Sequence, residues 1–273
     1  AAPPAPAAAP ARLDRWQKRW DSNQLGWHLT DVNPFLRRYL AEMLPPQPGV
    51  ETPPGMGRRV LVPLCGATVD MAFLARQGFR VVGVDGVAAA FDRFAEEHAI
   101  QLPSGGRTMV VTMPPAMSPE RFEVRAAVIG ADPADTATRT EAAPPVILVR
   151  GDFLELGAAE AEALVPFDAA LDRASLVAIA PADRPRYAEV LAGLLAPGGR
   201  VLLVTCEHAP FADGVLGPPF QVTEADVRAH FGGAFDVRLL CREDTIDSGP
   251  MRMRDRGLDH FYEAAYLLTR RAP

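Results

Sequence analysis

Hydrophobic positions along this chain recur at two spacings. Over residues 13–20, and again from Asn33 onward, they return every three or four places, the period of an amphipathic helix. Asn33 is a capping residue type, and Pro34 suits the first helical position, where its missing N–H is no loss. Leu36, Tyr39, Leu40 and Met43 form the apolar stripe of that second helix. The same spacing predicts helices over 69–77, stopped by Gly78, and over 88–98, where Phe91, Phe94 and Ala95 share a face. Tyr187, Val190, Leu191, Leu194 and Leu195 mark another, ended by Pro197-Gly198-Gly199. Thr223 and Asp226 have capping-box spacing ahead of Val227, His230 and Phe231. Between these stretches lie short apolar runs of strand length at 59–64, 80–85, 146–153, 167–176 and 198–207. Two last runs, 235–243 and 261–270, have no helix between them and are expected to pair antiparallel at the sheet edge.

Strand and helix in alternation predict an α/β fold: a doubly wound, Rossmann-like, seven-stranded sheet, mostly parallel with an antiparallel edge strand, and helices on both faces. Residues 1–11, AAPPAPAAAPA, are low in complexity and cannot build a core, so a disordered tail is expected; they lack the n-region and h-region of a signal peptide. Residues 12–273 are expected to form a single domain with a Pro/Ala-rich insertion near 102–145. Within it the alternating segments 107–113 and 121–129 suit a hairpin.

Composition acts mainly by exclusion. A chain of 273 residues, 48% hydrophobic and 23% charged, suits one large soluble domain. Its net charge is −6 and no basic patch interleaves with aromatics, so no nucleic-acid partner is expected. No apolar run approaches the roughly 20 residues of a bilayer span, so no membrane partner is expected either. Cys65, Cys206 and Cys241 sit in apolar, strand-like runs, the pattern of buried, reduced thiols in a cytoplasmic protein. His28, His98, His208, His230 and His260 show no metal-ligand spacing, so no metal is expected. The absence of G-x-S-x-G gives a serine hydrolase no support.

The chemistry concentrates around VLVPLCGATVDM, residues 60–71. Ligands of doubly wound sheets bind beyond the carboxyl ends of the strands, at the switch point, and Gly66, Asp85, Asp152 and Arg173 all fall there. Asp85 follows Gly66 by about 20 positions, the offset at which a carboxylate meets a ribose diol. A pyrophosphate needs G-x-G-x-x-G, whereas this turn runs Gly66-Ala67-Thr68-Val69-Asp70-Met71. A nucleoside without phosphates fits better, and S-adenosylmethionine, leaving as S-adenosylhomocysteine, is the common one. Its amino-acid end would lie against Leu64-Cys65-Gly66, its ribose on Asp85 and its adenine near Asp152-Phe153. Plainer roles stand beside these. Asp85 could be a solvated strand end, Trp16 and Trp20 helix anchors, Cys65 a packing residue and Arg173 the ion-pair partner of Asp172. Phe211, Phe220 and Phe231 suit either core or pocket wall.

Seven stretches then carry a likeness. They are WQKRWDSNQLGWH, VLVPLCGATVDM, VVGVD, GDF, DRASLVAIAPADRPRYAEVLAGLL, GPPF and RGLDHFYEAAYLLTR, in that order. Together they resemble the thiopurine S-methyltransferase family, class I enzymes that use S-adenosylmethionine, over about residues 13–270 apart from the insertion. The resemblance implies that segment 16–27 folds over the cofactor, with Trp16 and Trp27 nearest and Trp20 in the same segment. It implies a cofactor pocket lined by Leu64, Asp85, Gly151, Asp152 and Arg173, beside the Gly66 and Phe153 of the turn and strand end. Trp27 and His28 would wall the acceptor side, with Arg173 and Arg252 facing the acceptor; the loose register there leaves Arg254 as the alternative to Arg252. Family members often have Lys where Ala67 stands, Glu where Asp85 stands and Phe-His where Trp27-His28 stands.

The implied reaction is in-line transfer of a methyl group to a small soft nucleophile, foremost an aromatic or heterocyclic thiol, by a monomer. A thiol reacts as its thiolate, which a nearby arginine favours, so no general base is required; Arg173 is the candidate for orienting the acceptor. Halide, selenium or tellurium acceptors are the alternatives within the fold. A nicotinamide-dependent oxidoreductase and a non-catalytic nucleoside-binding relative are the alternatives outside it.

Overall fold

The computed structural model describes residues 9–46, 57–98, 109–110, 121–127, 129, 144–164, 166–248 and 253–272. In chain order the strands are β1 (Arg59–Pro63), β2 (Arg80–Asp85), β3 (Met109–Val110), β4 (Glu123–Ala127), β5 (Val146–Arg150), β6 (Phe167–Arg173), β7 (Leu195–His208), β8 (Phe235–Asp244) and β9 (Phe261–Arg270). The helices are α1 (Ala9–Asp21), α2 (Pro34–Met43), α3 (Val69–Arg76), α4 (Ala88–Glu97), α5 (Ala158–Leu164), α6 (Arg184–Leu194) and α7 (Glu224–Phe231). All strands join one sheet in the order β3-β4-β5-β2-β1-β6-β7-β9-β8.

The centre of the sheet, β5-β2-β1-β6-β7, is parallel. Strands buried on both faces need apolar residues at every position, which is why these runs show no alternation in the sequence. Val60 and Val62 pack on one side with Trp20, Phe35, Met71 and Phe91. Leu61, between them, packs on the other side with Tyr187, Leu191 and Phe231. Helices α2–α4 therefore cover one face and α5–α7 the other.

The sheet is wider than expected and its antiparallel strand sits one place further in. β9 runs antiparallel between β7 and β8, leaving β8 at the edge. The hairpin expected in the insertion forms as β3 and β4, and β4 pairs antiparallel with β5, adding two strands at the opposite edge. Helix α5 is a further addition. The caps follow the sequence. Asn33 Oδ1 accepts the N–H groups of Phe35 and Leu36 at 2.9 and 3.3 Å, and Thr223 and Asp226 close a reciprocal capping box on α7. The Asn33 N–H also donates to Asp70 Oδ1 at 2.8 Å, which ties the start of α2 to the first turn of α3.

Cys65 and Cys206 are buried, Cys241 is partly buried, and all three are free thiols. No helix among the described residues is long and apolar enough to cross a membrane.

Candidate functional site

Strand order reverses direction between β1 and β6, and the carboxyl ends on either side of that point open onto one cavity of about 300 Å3. β1 ends in a turn where Leu64 has φ +43° and Gly66 φ +54°; at the end of β6, Ala174 has φ +61°. Glycine takes this left-handed conformation freely. Leu64 and Ala174 pay of order 1 kcal/mol each, and strain of that kind persists where the surroundings hold it at a binding surface. Both residues line the cavity.

The turn is bound to β2 through Asp85. The Gly66 N–H donates to Asp85 Oδ2 and the Val87 N–H to Oδ1, each at 2.9 Å. A carboxylate offers about four acceptor positions, and with the Gly86 N–H also directed at it one is left for a ligand's hydroxyl group. Burial pushes the Asp85 carboxyl up to about 6, against backbone donors from Val87, Gly66 and Gly86 that pull it down. The backbone after Asp85 is closely approached from above: a Cβ on Gly86 would stand 2.2 Å from Leu13 Cδ2 of α1. This floor fits a nucleoside diol. The turn's Cys65, Gly66 and Thr68 N–H groups are already spent, on the Val84 carbonyl, the Asp85 carboxylate and the Cys65 carbonyl, whereas a pyrophosphate needs such groups free.

Beyond β5, Asp152 Oδ1 accepts the Leu154 N–H at 2.9 Å and Oδ2 accepts from Arg12 at 2.8 Å. Phe153 is buried beside the cavity and lies 5.1 Å from the Tyr187 ring. Gly151 stands behind this wall. Its N–H donates to the Asp85 carbonyl at 2.9 Å, a Cβ there would meet Phe122 at 2.2 Å, and it does not line the cavity.

The roof is α1 and the loop after it. Trp16 and Trp27 meet edge to face with centroids 5.2 Å apart, and Trp20 adds a second such contact to Trp27 at 6.3 Å. Trp20 also covers Gly66, where a Cβ would be 3.5 Å away. Three arginines one helical turn apart pin or rim the roof. Arg12 bridges to Asp152, Arg15 Nη2 donates to the Gly217 carbonyl at 2.8 Å, and the Arg19 guanidinium lies 4.9 Å from the Trp27 centroid. His28 lines the cavity while its Nε2 lies 3.0 Å from Glu97 Oε2 of α4.

Arg173 donates Nη1 to the Trp27 carbonyl at 2.6 Å. Burial lowers its pKa, and the nearby carboxylates of Asp70 and Glu263 oppose that shift. The alternative of an Asp172–Arg173 pair is not realised, because consecutive strand residues point to opposite faces. Asp172 instead accepts the Tyr187 hydroxyl at 2.7 Å and the Leu176 N–H at 3.1 Å inside the core. Phe220 lines the cavity, whereas Phe231 packs on Phe235 and Phe211 lies under His208 and Arg256. Burial raises the Cys65 thiol well above its usual value, so it stays protonated and serves packing.

The structure thus gathers Trp16, Trp20, Trp27, His28, Leu64, Gly66, Asp85, Asp152, Phe153 and Arg173 around one cavity. Arg252 lies outside the described residues, and Arg254 is paired with Asp247 at 2.6 and 2.8 Å, away from the cavity lining. Sequence reasoning missed Arg12, Arg15 and Arg19. Their spacing around Trp16 places them on one helix face, a signal that carries meaning only once α1 is known to close the cavity. It also left Pro218 and Pro219 of GPPF without a role, and they form part of the wall. Among the described residues no group of three or more His, Cys, Asp or Glu side chains is placed to hold a metal.

Comparison with known proteins shows the family and the fold. The family model Thiopurine S-methyltransferase (TPMT) matches residues 11–117 and 120–271. A thiopurine S-methyltransferase of Pseudomonas aeruginosa (strain UCBPP-PA14) is 34% identical over 259 residues, spanning 95% of this chain and 99% of its own. One from Nitrosospira multiformis is 33% identical over 260 residues, with 95% and 99% covered. Among solved structures, 1,6-didemethyltoxoflavin-N1-methyltransferase of Burkholderia thailandensis, with S-adenosylhomocysteine bound, superposes with a TM-score of 0.52. That pair shares 20% identity and covers 99% of this chain and 95% of the other, which shows a common fold.

Proposed function

The chain belongs to the thiopurine S-methyltransferase family, S-adenosylmethionine-dependent enzymes, and on that premise we propose that it methylates the sulfur of a small aromatic or heterocyclic thiol. The observation that carries the proposal is the pairing of floor and roof. A carboxylate with an acceptor position left over faces a cavity roofed by three tryptophans, with a partly buried guanidinium at the far strand end.

Residue roles follow from position. Asp85 accepts the ribose hydroxyls, the Leu64-Cys65-Gly66 turn packs the amino-acid end, and Asp152-Phe153 border the adenine. Trp16 and Trp27 present aromatic faces to the sulfonium charge. The cofactor supplies a methyl group that is already electrophilic. The protein's share is to hold the nucleophile in line and in its reactive form. Arg173 spends one N–H on the Trp27 carbonyl and keeps others for the acceptor, where its positive charge favours a thiolate. Trp27 and His28 wall that side. With the thiolate already formed, no side chain has to remove a proton at the moment of transfer. The free thiols support a cytoplasmic setting, and we assign the chain as a monomer.

The test is S-adenosylhomocysteine release across a panel of matched aromatic thiol, phenol and aniline, with halide, selenide and telluride alongside. The thiol should turn over fastest. A phenol or amine outrunning its matched thiol would overturn the assignment, and a faster halide or selenide would move it to the alternative soft acceptors.

A further inference from the structure

Positive and negative charge are unequally distributed around the cavity. Its carboxylates are accounted for. Asp85 holds backbone N–H groups, Asp152 and Asp183 lie 2.8 and 4.0 Å from Arg12, and Asp70 takes the Asn33 N–H and the Thr68 hydroxyl at 2.8 and 3.0 Å. At the rim, Arg15 and Arg19 line the same cavity, and neither is ion-paired with a carboxylate among the described residues. Arg15 has the Gly217 carbonyl. Arg19 reaches the Gln24 carbonyl at 3.4 Å and otherwise lies over the Trp16 and Trp27 rings. Arg256, stacked on Phe211 at 3.3 Å and itself paired with Asp213 at 3.5 Å outside the cavity lining, is near enough to press on Arg19, whose pKa burial lowers first and Arg15 and Arg256 lower further. Like charges one turn apart on a helix repel. Among the described residues these two keep most of their N–H groups uncommitted, and the planar fork of a guanidinium matches an oxyanion.

We propose that Arg15 and Arg19 form a subsite for an oxyanion, such as a carboxylate, carried by the methyl acceptor at the end remote from its nucleophile. The proposal rests on the thiol reading above and names its substrate class: a small thiol with a carboxylate across its ring. Arg173 takes the sulfur at the strand end, Trp27 and Phe220 flank the ring, and the α1 arginines take the carboxylate at the rim.

Two measurements on the full chain test it separately from that reading. The first compares kcat/KM for 3-mercaptobenzoate and 3-mercaptobenzyl alcohol. The acid should be preferred by about tenfold or more, the factor contributed by one retained charge-assisted hydrogen bond, and added salt should shrink the preference. In the Arg15→Gln/Arg19→Gln variant the ratio should fall to about one, while Arg15→Lys/Arg19→Lys keeps part of it. Equal turnover of both thiols by the wild type, or a preference untouched in the glutamine variant, overturns the subsite. The second uses the fluorescence of Trp16 and Trp27 in protein loaded with S-adenosylhomocysteine. Benzoate should bind more tightly than benzyl alcohol, and about tenfold more weakly to the glutamine variant. If neither thiol is methylated yet benzoate binds in this arginine-dependent way, the thiol reading falls and the oxyanion subsite stands. If benzoate binds no better than benzyl alcohol, the subsite falls whatever the turnover.

Discussion

With Asp85 in its proposed place under the ribose, cofactor affinity should depend on pH. The Asp85 carboxyl is pushed up from 3.8 to about 6 by burial, so the free enzyme begins to protonate it just below neutrality. Ribose hydroxyls donate to the ionised form and favour it, so the value in the complex must lie lower. A group whose pKa falls on binding makes affinity fall as pH drops through the free-state value. At pH 5 about one molecule in eleven is ionised, which raises Kd about tenfold, or about 1.4 kcal/mol, relative to neutral pH. Titration calorimetry of S-adenosylhomocysteine between pH 5 and 7.5 reads this directly, since binding below pH 6 should also release a proton into buffers of differing ionisation enthalpy. Asp70 and Asp183 also line the cavity, and burial raises both, so the control is Asp85→Asn. That variant keeps an acceptor for one of the Gly66 and Val87 N–H groups and loses the titration. It should bind about 10- to 100-fold more weakly at neutral pH, the cost of a hydrogen bond to a charged group, with a flatter pH profile. A wild-type Kd constant from pH 5 to 7.5, or a slope surviving in Asp85→Asn, would remove Asp85 from the cofactor site.

Three further outcomes are expected. Amide hydrogen exchange over residues 16–27 should slow when S-adenosylhomocysteine binds, because that roof is held by side-chain contacts of Arg12, Arg15 and Arg173 and not by backbone pairing with a strand; unchanged exchange would exclude a roof over the cofactor. Arg173→Gln should lower kcat/KM for an aromatic thiol most where thiolate is scarce, with partial recovery as pH rises; profiles of identical shape would show that Arg173 does not tune the nucleophile. Tyr187→Phe takes a donor from buried Asp172, whose carboxyl burial pushes up to about 6, so urea titration should show a loss of about 1.5–3 kcal/mol at pH 7.5. The loss should be smaller at pH 5, where Asp172 is largely protonated, and equal losses at both would refute the charge-based account.

Much of the frame was legible because parallel strands leave a plain mark. The bounds of β2 match the expected run residue for residue, and the alternating segments of the insertion became β3 and β4. Helix α5 was not legible. Its sequence AAEAEAL has little apolar stripe, and Glu160 is buried with Arg121 and the Gly157 N–H meeting its carboxylate at 3.2 and 3.0 Å. A lone glutamate on a helix looks solvated until its partners are known. The width of the sheet escaped for a related reason: whether a hairpin in an insertion lies on the sheet or away from it depends on edge pairing that its own sequence does not encode.

The site divides along the same line. Leu64, Gly66, Asp85, Asp152 and Arg173 could be placed because topology fixes where strand ends go, whatever their side chains do. Strand alternation also decides between the two roles open to Arg173, since it sends Asp172 into the core toward Tyr187 and leaves Arg173 facing the cavity. Nothing comparable identifies Arg15 and Arg19. On a helix at the start of a chain, arginines look like a solvated face. They become cavity residues only through the docking of α1, which rests on long-range contacts: Leu13 against Gly86, Trp20 against Gly66, Arg12 against Asp152. On the proposed reading the floor under the cofactor is therefore written in the order of the strands, while the roof and the acceptor's rim depend on how α1 seats. Acceptor preference should accordingly respond to changes in α1 that leave the sheet and its Asp85 floor untouched.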